Sequence, residues 1–422
     1  MKKVTSVLLG AGDRGMNAYG SYALANPDEL QFVAVAEPRE DRRKKFQELH
    51  GIKDAMAFAK WEDLLDRPRM ADAILICTWD KMHFQPALKA MEKGYHILLE
   101  KPISTEAEEV LRIGDLAKNY DKIFMLCYVM RYMWFMQTLK RFLDEGRIGR
   151  LMSLHYAENV GIMHFAHSFV RGNWRNAQES CPMILSKCCH DMDAFLWLVG
   201  ADCTKVSSFG DLTYFNAKNA PKGAADRCLD GCPAKYECMF YAPDVYLREN
   251  SGFSSTVISV DTSPEGRLKA LKDGPYGRCV YKCDNDVVDH QVLCLQYAND
   301  VTINMSMCAF TDEFNRTMKF MGTKGQMRGN LHKAEIEVVD FASGARDVIR
   351  LDAEQDKHGG GDFNLMRDFV RSINGLGGQA SSRITADTIN SHLIALAAEK
   401  ARVESTVVEM DRFVADVRKR MK

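Results

Sequence analysis

Two separated stretches of this 422-residue chain carry side chains whose types and spacing suit chemistry on a hydroxyl group. Ser186, Lys187, Cys188, Cys189, His190, Asp191, Met192 and Asp193 crowd ionisable groups and two thiols against the apolar run Ala194 to Leu198. An imidazole exchanges its proton near neutrality, its free pKa being about 6.5, so His190 suits the base that takes a hydroxyl proton. Asp193, three positions on, is expected to orient that ring. Far upstream, Glu100, Lys101 and Pro102 follow the apolar stretch Tyr95 to Leu99. A lysine at the end of a buried strand is badly placed for mere solvation. It suits a clamp for a developing alkoxide, or a base if burial and neighbours lower its pKa. Pro102 fixes the chain as it turns away and is a candidate cis position.

Oxidising an alcohol also needs a hydride acceptor, and the sequence offers a cradle for one. Gly10, Ala11, Gly12, Asp13, Arg14 and Gly15 form G-x-G-x-x-G directly after the apolar run Val4 to Leu9 and before a helical stretch, Met16 to Ala25. In that context the glycines serve a tight turn, backbone approach to a pyrophosphate, and close packing of helix on strand. Glu37, ending a second strand, offers a carboxylate to ribose hydroxyls and repels a 2′-phosphate, which favours NAD over NADP. Arg39, Arg42 and Arg43 are close enough to soften that preference. Thr78 and Trp79 end a third strand and are expected to line the cofactor crevice.

These residues need elements to position them. Up to about residue 130, short apolar strands alternate with helices, the pattern of βαβ units and a parallel sheet. After about residue 150 the period changes. Val301, Ile303, Met305 and Met307 alternate with polar partners, as in a sheet with one buried face. The reading is α/β: an N-terminal Rossmann domain over 1–130 and an α+β domain over 131–422 with a large, mainly antiparallel sheet. Asp211 to Arg278 reads as an insertion, and two helices, Phe363 to Ile373 and Ala386 to Ala401, close the chain. The basic end, Arg418 to Lys422, reads as a solvated tail.

The segment Met163 to Arg175 mixes polar and aromatic residues without a clean period. His167, Arg171, Trp174 and Arg175 suit a sugar site, with a ring for stacking and cations for hydroxyl or carboxylate groups. Asn285 to Gln291 reads equally as a sheet-borne substrate patch or as a buried hydrogen-bond network. Cys228, Cys232, Cys238, Cys279 and Cys283 are five clustered thiols among thirteen cysteines. They allow a structural zinc, buried free thiols, disulfides or, less simply, an iron–sulfur cluster. The other eight read as small buried hydrophobes.

Composition excludes several classes. Lys plus Arg is 56 against 57 for Asp plus Glu, a net charge of −1, so a general nucleic-acid binder is not expected. No apolar run approaches the roughly 20 residues of a bilayer span, and the N-terminal apolar stretch is too short for a secretion signal. The expectation is a cytoplasmic chain whose partner is a small molecule.

With these motifs assembled, the chain resembles the Gfo/Idh/MocA oxidoreductases, of glucose-fructose oxidoreductase and inositol dehydrogenase type. The resemblance rests on Gly10 to Gly15, Glu37, His83, Glu100 to Pro102, Arg131 with Tyr132, Gly146 to Gly149, and His190 with Asp193. It implies Lys101 and His190 as catalytic residues, and His83, Glu100 and Lys101 beside the cofactor. It adds Tyr132 to the substrate site, with dimers or tetramers formed through the open sheet. The family pattern carries an Asp where this chain has Ser186, so Lys187 and Asp191 become candidates for rebalancing charge and touching substrate, and an acidic sugar is permitted. The implied activity is NAD-dependent oxidation of a secondary hydroxyl of a sugar, sugar acid or cyclitol. The alternative is a redox glycosidase that oxidises, eliminates, hydrates and reduces again; a non-catalytic dinucleotide sensor is a third.

Overall fold

The computed structural model describes residues 1–248, 257–351, 360–377 and 386–422. Residues 249–256 of the expected insertion lie outside them.

The first sheet has six strands, all parallel: β1 (Val4–Leu9), β2 (Leu30–Ala36), β3 (Ala57–Phe58), β4 (Ala73–Ile76), β5 (His96–Leu99) and β6 (Phe124–Leu126). Their order is β3-β2-β1-β4-β5-β6. Helices cover both faces, which is why β4 and β6 are wholly buried apolar runs. The order reverses at β1 and β4, and the crevice beyond their carboxyl ends is where such folds hold ligands. Gly10, Cys77 and Glu100 stand there.

The second sheet has nine strands. They are β7 (Leu151–Asn159), β8 (Cys203–Asp211), β9 (His290–Tyr297), β10 (Thr302–Cys308), β11 (Asn315–Gly322), β12 (Gly325–Asn330), β13 (Glu335–Asp340), β14 (Arg346–Arg350) and β15 (Val408–Glu409). Their order is β14-β13-β12-β11-β7-β10-β9-β8-β15, antiparallel except where β7 meets β10. In β10, Ile303, Met305 and Met307 are buried while Thr302 and Asn304 face out.

The Gly361–Ile373 helix packs back across the division at residue 130. Its Leu365, Met366, Phe369 and Val370 share one core with Val4, Leu8, Tyr19, Tyr22 and Phe32 of the first domain. The Ala386–Glu404 helix packs on β8, on the Cys189–Val199 helix and on the Ala107–Ala117 helix, so it joins both domains. The basic end is largely exposed, as expected, and its first residues close a further helix, Met410–Arg420, whose Arg418 and Arg420 pair with Asp115 and Glu108. The insertion owns a small core of Cys228, Ala242, Tyr246, Ile258 and Leu271. Among the described residues no helix is long and apolar enough to cross a membrane.

Candidate active site

The cradle after β1 fits a dinucleotide. Gly10 has φ +89°, and a Cβ there would lie 2.4 Å from the Cys77 carbonyl oxygen; a Cβ at Gly15 would lie 2.2 Å from the Gly10 oxygen. Gly12 is different. Its nearest neighbour would be Arg42 Nη1 at 3.9 Å, which leaves room for a phosphate group over the backbone. Glu37 is buried, its Oε2 accepting from Ala11 N–H at 2.8 Å and its Oε1 from Arg39 N–H at 3.0 Å. A carboxylate has lone pairs to spare for ribose hydroxyls. Arg39 is tied to Asp41, and Arg43 donates to the Glu37 main-chain oxygen. Asp13 accepts from Asn17, Thr78 Oγ1 donates to the Met82 oxygen, and Trp79 is 57% exposed beside the crevice.

Three residues expected at the cofactor, Arg14, Glu100 and His83, are held by protein partners. Arg14 turns into the protein, pairing with Glu100 Oε1 at 2.7 Å and with both oxygens of Asp362 at 2.8 and 3.1 Å, and donating to the Tyr19 hydroxyl at 2.6 Å. Tyr19 also bonds Glu100. Arg14 and Glu100 therefore tie the glycine loop to β5 and to the Gly361–Ile373 helix. The ring nitrogens of buried His83 sit 2.6 Å from the Pro102 oxygen and 2.9 Å from the Thr78 oxygen. His83 clasps two loops.

Lys101 precedes a cis peptide bond to Pro102, and its Nζ donates to the Ser186 main-chain oxygen at 2.6 Å. This contact joins the end of β5 to the turn before His190. Burial pulls the ammonium pKa down, but Cys189, Asp80 and Glu100 outweigh it and the net shift is upward. Of the two roles open to Lys101, the shift favours the cationic clamp. His190 opens the Cys189–Val199 helix, its ring edge-on to Tyr128 at 5.8 Å. The Tyr128 hydroxyl meets Ser391 Oγ at 2.6 Å and His392 Nδ1 at 3.0 Å, and His392 Nε2 accepts from Ile103 N–H at 2.9 Å. Nothing in the sequence pattern around Ser391 and His392 distinguished them from an ordinary amphipathic helix. Burial drives the His392 pKa down to about 4, keeping it neutral. Asp193 takes a two-pronged contact from Arg131, 2.7 Å at each oxygen.

Lys187 and Asp191 belong to a buried ionic group that also includes Glu158 and Arg316. Arg316 Nε lies 2.7 Å from Asp191 Oδ1 and 2.7 Å from Glu158 Oε2, while Lys187 Nζ is 3.5 Å from Glu158 Oε1. Tyr156 donates to Asp191 at 2.6 Å, and the Lys187 ammonium lies 4.1 Å over the Phe314 ring. Burial pushes Glu158 up and Lys187 down, each toward its neutral form. Two carboxylates face two cations, so the extra cation at Lys187 is cancelled from below. Asp191, fully buried, is out of a substrate's reach.

Two of the expected substrate residues, Arg171 and His167, brace the insertion. Arg171 is 1% exposed and donates to the main-chain oxygens of Arg278 at 2.8 Å and Phe240 at 2.7 Å. His167 meets the Tyr246 hydroxyl at 3.1 Å and stacks on Tyr276 at 4.7 Å. Arg175 pairs with Asp284 at 2.8 Å and Glu179 at 2.7 Å, and half-buried Trp174 packs against the main core. Tyr132 is buried at the first-domain interface, donating to Asp368 at 2.9 Å. The Asn285 to Gln291 stretch is a network: Asp289 accepts from Tyr214 N–H at 2.7 Å and Thr213 N–H at 2.9 Å, and Gln291 donates to Ser208 at 2.9 Å.

Cys228, Cys232, Cys238 and Cys279 do converge, lining one small cavity with Arg171, Phe240 and Tyr281. Among the described residues, however, no three His, Cys, Asp or Glu side chains are placed to hold a metal. All thirteen cysteines are free; Cys283 Sγ donates to the Cys279 oxygen and Arg171 reaches Cys228 Sγ at 3.7 Å. The described residues thus give a structural zinc no support, and the insertion has an apolar core of its own to hold it together.

Comparison with known proteins agrees with this geometry. The GFO_IDH_MocA description "Oxidoreductase family, NAD-binding Rossmann fold" matches residues 4–128, and its "C-terminal alpha/beta domain" matches 140–410. The chain is 23% identical over 344 residues to YteT of Bacillus subtilis (strain 168), covering 77% of this chain and 78% of that protein. It is 27% identical over 263 residues to an inositol 2-dehydrogenase of Streptomyces avermitilis, covering 60% of this chain and 69% of that protein. A levoglucosan dehydrogenase solved with NADH and levoglucosan has a TM-score of 0.70 at 16% identity, covering 97% of this chain and 99% of that one.

Proposed function

From the premise that this chain belongs to the Gfo/Idh/MocA oxidoreductase family, we propose that it is an NAD-dependent oxidoreductase acting on a secondary hydroxyl of a neutral sugar or cyclitol. The observation that carries the reading is the joining of Lys101, at the end of β5, to the turn that presents His190. Bound NAD supplies the hydride acceptor. Gly10 to Gly15 and Glu37 hold it, and Glu37 favours NAD over NADP. His190 takes the hydroxyl proton while the Lys101 ammonium, one N–H spent on Ser186, turns another toward the oxygen that becomes negative. The relatives' names, inositol 2-dehydrogenase and levoglucosan dehydrogenase, support a neutral polyol, as does the cancellation of Lys187 by Glu158.

A second reading keeps the same residues in a cycle with no net redox change. It is favoured by a 24% identity over 148 residues to a 2,7-anhydro-N-acetylneuraminate hydratase of Escherichia coli, covering 35% of this chain and 39% of that protein. Stoichiometry separates the two: net oxidation accumulates NADH, whereas the redox-neutral cycle releases product without it. Lys101→Met and His190→Asn are each expected to lose about 10²-fold in kcat with NAD affinity unchanged, and the double variant less than the product of both. Single variants that turn over a confirmed substrate at near wild-type rate overturn the assignment.

A further inference from the structure

A buried ammonium needs a nearby negative charge, and the groups around Lys101 differ in their freedom to supply one. Among the described residues, the titratable groups that face it include Asp80, Glu100, Cys181, Cys189, Lys187 and His392. Burial raises the thiols of Cys181 and Cys189, the latter to about 12, so both are uncharged at neutral pH, and His392 is neutral too. Lys187 repels. Glu100 is ionised, but its Oε1 already serves Arg14 and Tyr19. That leaves Asp80.

Asp80 sits in the loop after β4 and is buried. Its Oδ2 accepts from Ser180 Oγ at 2.5 Å and faces Cys181 Sγ at 3.7 Å, both neutral donors from the second domain. Lys101 in turn donates to a neutral carbonyl, Ser186, at the far end of the Met183–Ser186 turn that Ser180 and Cys181 lead into. The first domain thus grips that turn at both ends, once through a carboxylate and once through an ammonium. Two opposite charges, each hydrogen-bonded to neutral partners and set in one buried neighbourhood, are each other's counter-charge.

We propose that Asp80 is the counter-ion of Lys101, a positioning residue that keeps the amine protonated and fastens Ser180 and Cys181 over the cleft. The proposal rests on the reading of Lys101 as a cationic clamp, and it explains how a chain with Ser186 before its histidine keeps a carboxylate beside the lysine. The Ser186 hydroxyl itself turns back to the Met183 oxygen at 3.3 Å.

The test is the protonation midpoint of the Lys101 amine, read by competitive acetylation of the whole protein with acetic anhydride across pH and peptide mass spectrometry. Asp80→Asn keeps the size and an acceptor for Ser180 but loses the charge. The midpoint is expected to fall by about one pH unit or more, so that labelling at fixed pH rises about tenfold. The alkaline limb of kcat/KM should move down with it, and Ser186→Asp in the same chain should restore both. Surface Lys205 is the internal reference. An unchanged Lys101 midpoint in Asp80→Asn overturns the proposal. Should that variant not fold, Ser180→Ala with Cys181→Ala removes both clasping donors and keeps the carboxylate; there the midpoint should hold, and a tenfold rise in labelling overturns the proposal. The labelling readout stands apart from turnover, so an inactive Asp80 effect and a failed catalytic reading of Lys101 are told apart.

Discussion

Lys187→Met is the sharpest perturbation of the buried ionic group beneath the site. Lys187 and Glu158 stand 3.5 Å apart with the carboxylate fully buried and the ammonium side chain 14% exposed. At an effective dielectric constant of about 20, that separation is worth roughly 5 kcal/mol of attraction, part of which is returned because the lysine no longer has to be desolvated. Methionine refills most of the stem volume, so the net loss should be about 2–4 kcal/mol at pH 8. The pH dependence has a definite sign. Glu158 is already raised by burial, and losing Lys187 raises it further. A carboxyl whose folded pKa exceeds its unfolded value contributes stability that is fully present below the unfolded value, about 4.3, and is lost as pH rises through the folded pKa. The variant should therefore recover toward wild type as the solution is acidified from pH 8 toward pH 5. Adding Glu158→Gln removes the stranded charge and should restore more than half of the loss at pH 8. Urea midpoints of the four proteins at both pH values decide the matter. A single variant as stable as wild type at pH 8, or a double variant as weak as the single, refutes the idea that Lys187 is spent on Glu158.

Three further outcomes are expected. Replacing Glu37 by Gln should narrow the preference for NAD over NADP, measured by calorimetric titration of both, with tighter wild-type binding of NADP counting against the role of Glu37. His392, His50 and His167 are held near pKa 4 by burial, so their neutral forms contribute stability above about pH 6.5 that drains away as pH falls toward 4; His392 alone accounts for roughly 3 kcal/mol, and His392→Gln should flatten that stretch of the acid unfolding curve. Arg14→Met should strand Glu100 and Asp362 and cost about 3–5 kcal/mol in denaturant unfolding, whereas a mere cofactor contact would weaken NAD binding and leave apo stability alone.

The sequence by itself determined whatever depends on near neighbours in the chain. Gly10 to Gly15 after an apolar run, the strand-end Glu37 and the alternation of β10 are local patterns, and local sterics and burial periodicity are enough to read them. The same holds for Lys101, which a strand of fixed length delivers to one end of a parallel sheet. Tertiary structure decided where charges go. Asp193 pairs with Arg131, Arg14 with Asp362, and Asp191 with Arg316, in each case because a buried charge must be matched by whatever the fold brings within about 4 Å. Those partners lie 62, 348 and 125 residues away, and no spacing rule reaches that far. The polar segment Met163 to Arg175 was legible as unusual but not as a brace, since the carbonyls that Arg171 serves come from the insertion more than 60 residues on. Asp80, Glu158 and His392 went unread because only the closed fold takes them out of water, and it is loss of water that turns an ordinary polar side chain into a determinant of the site.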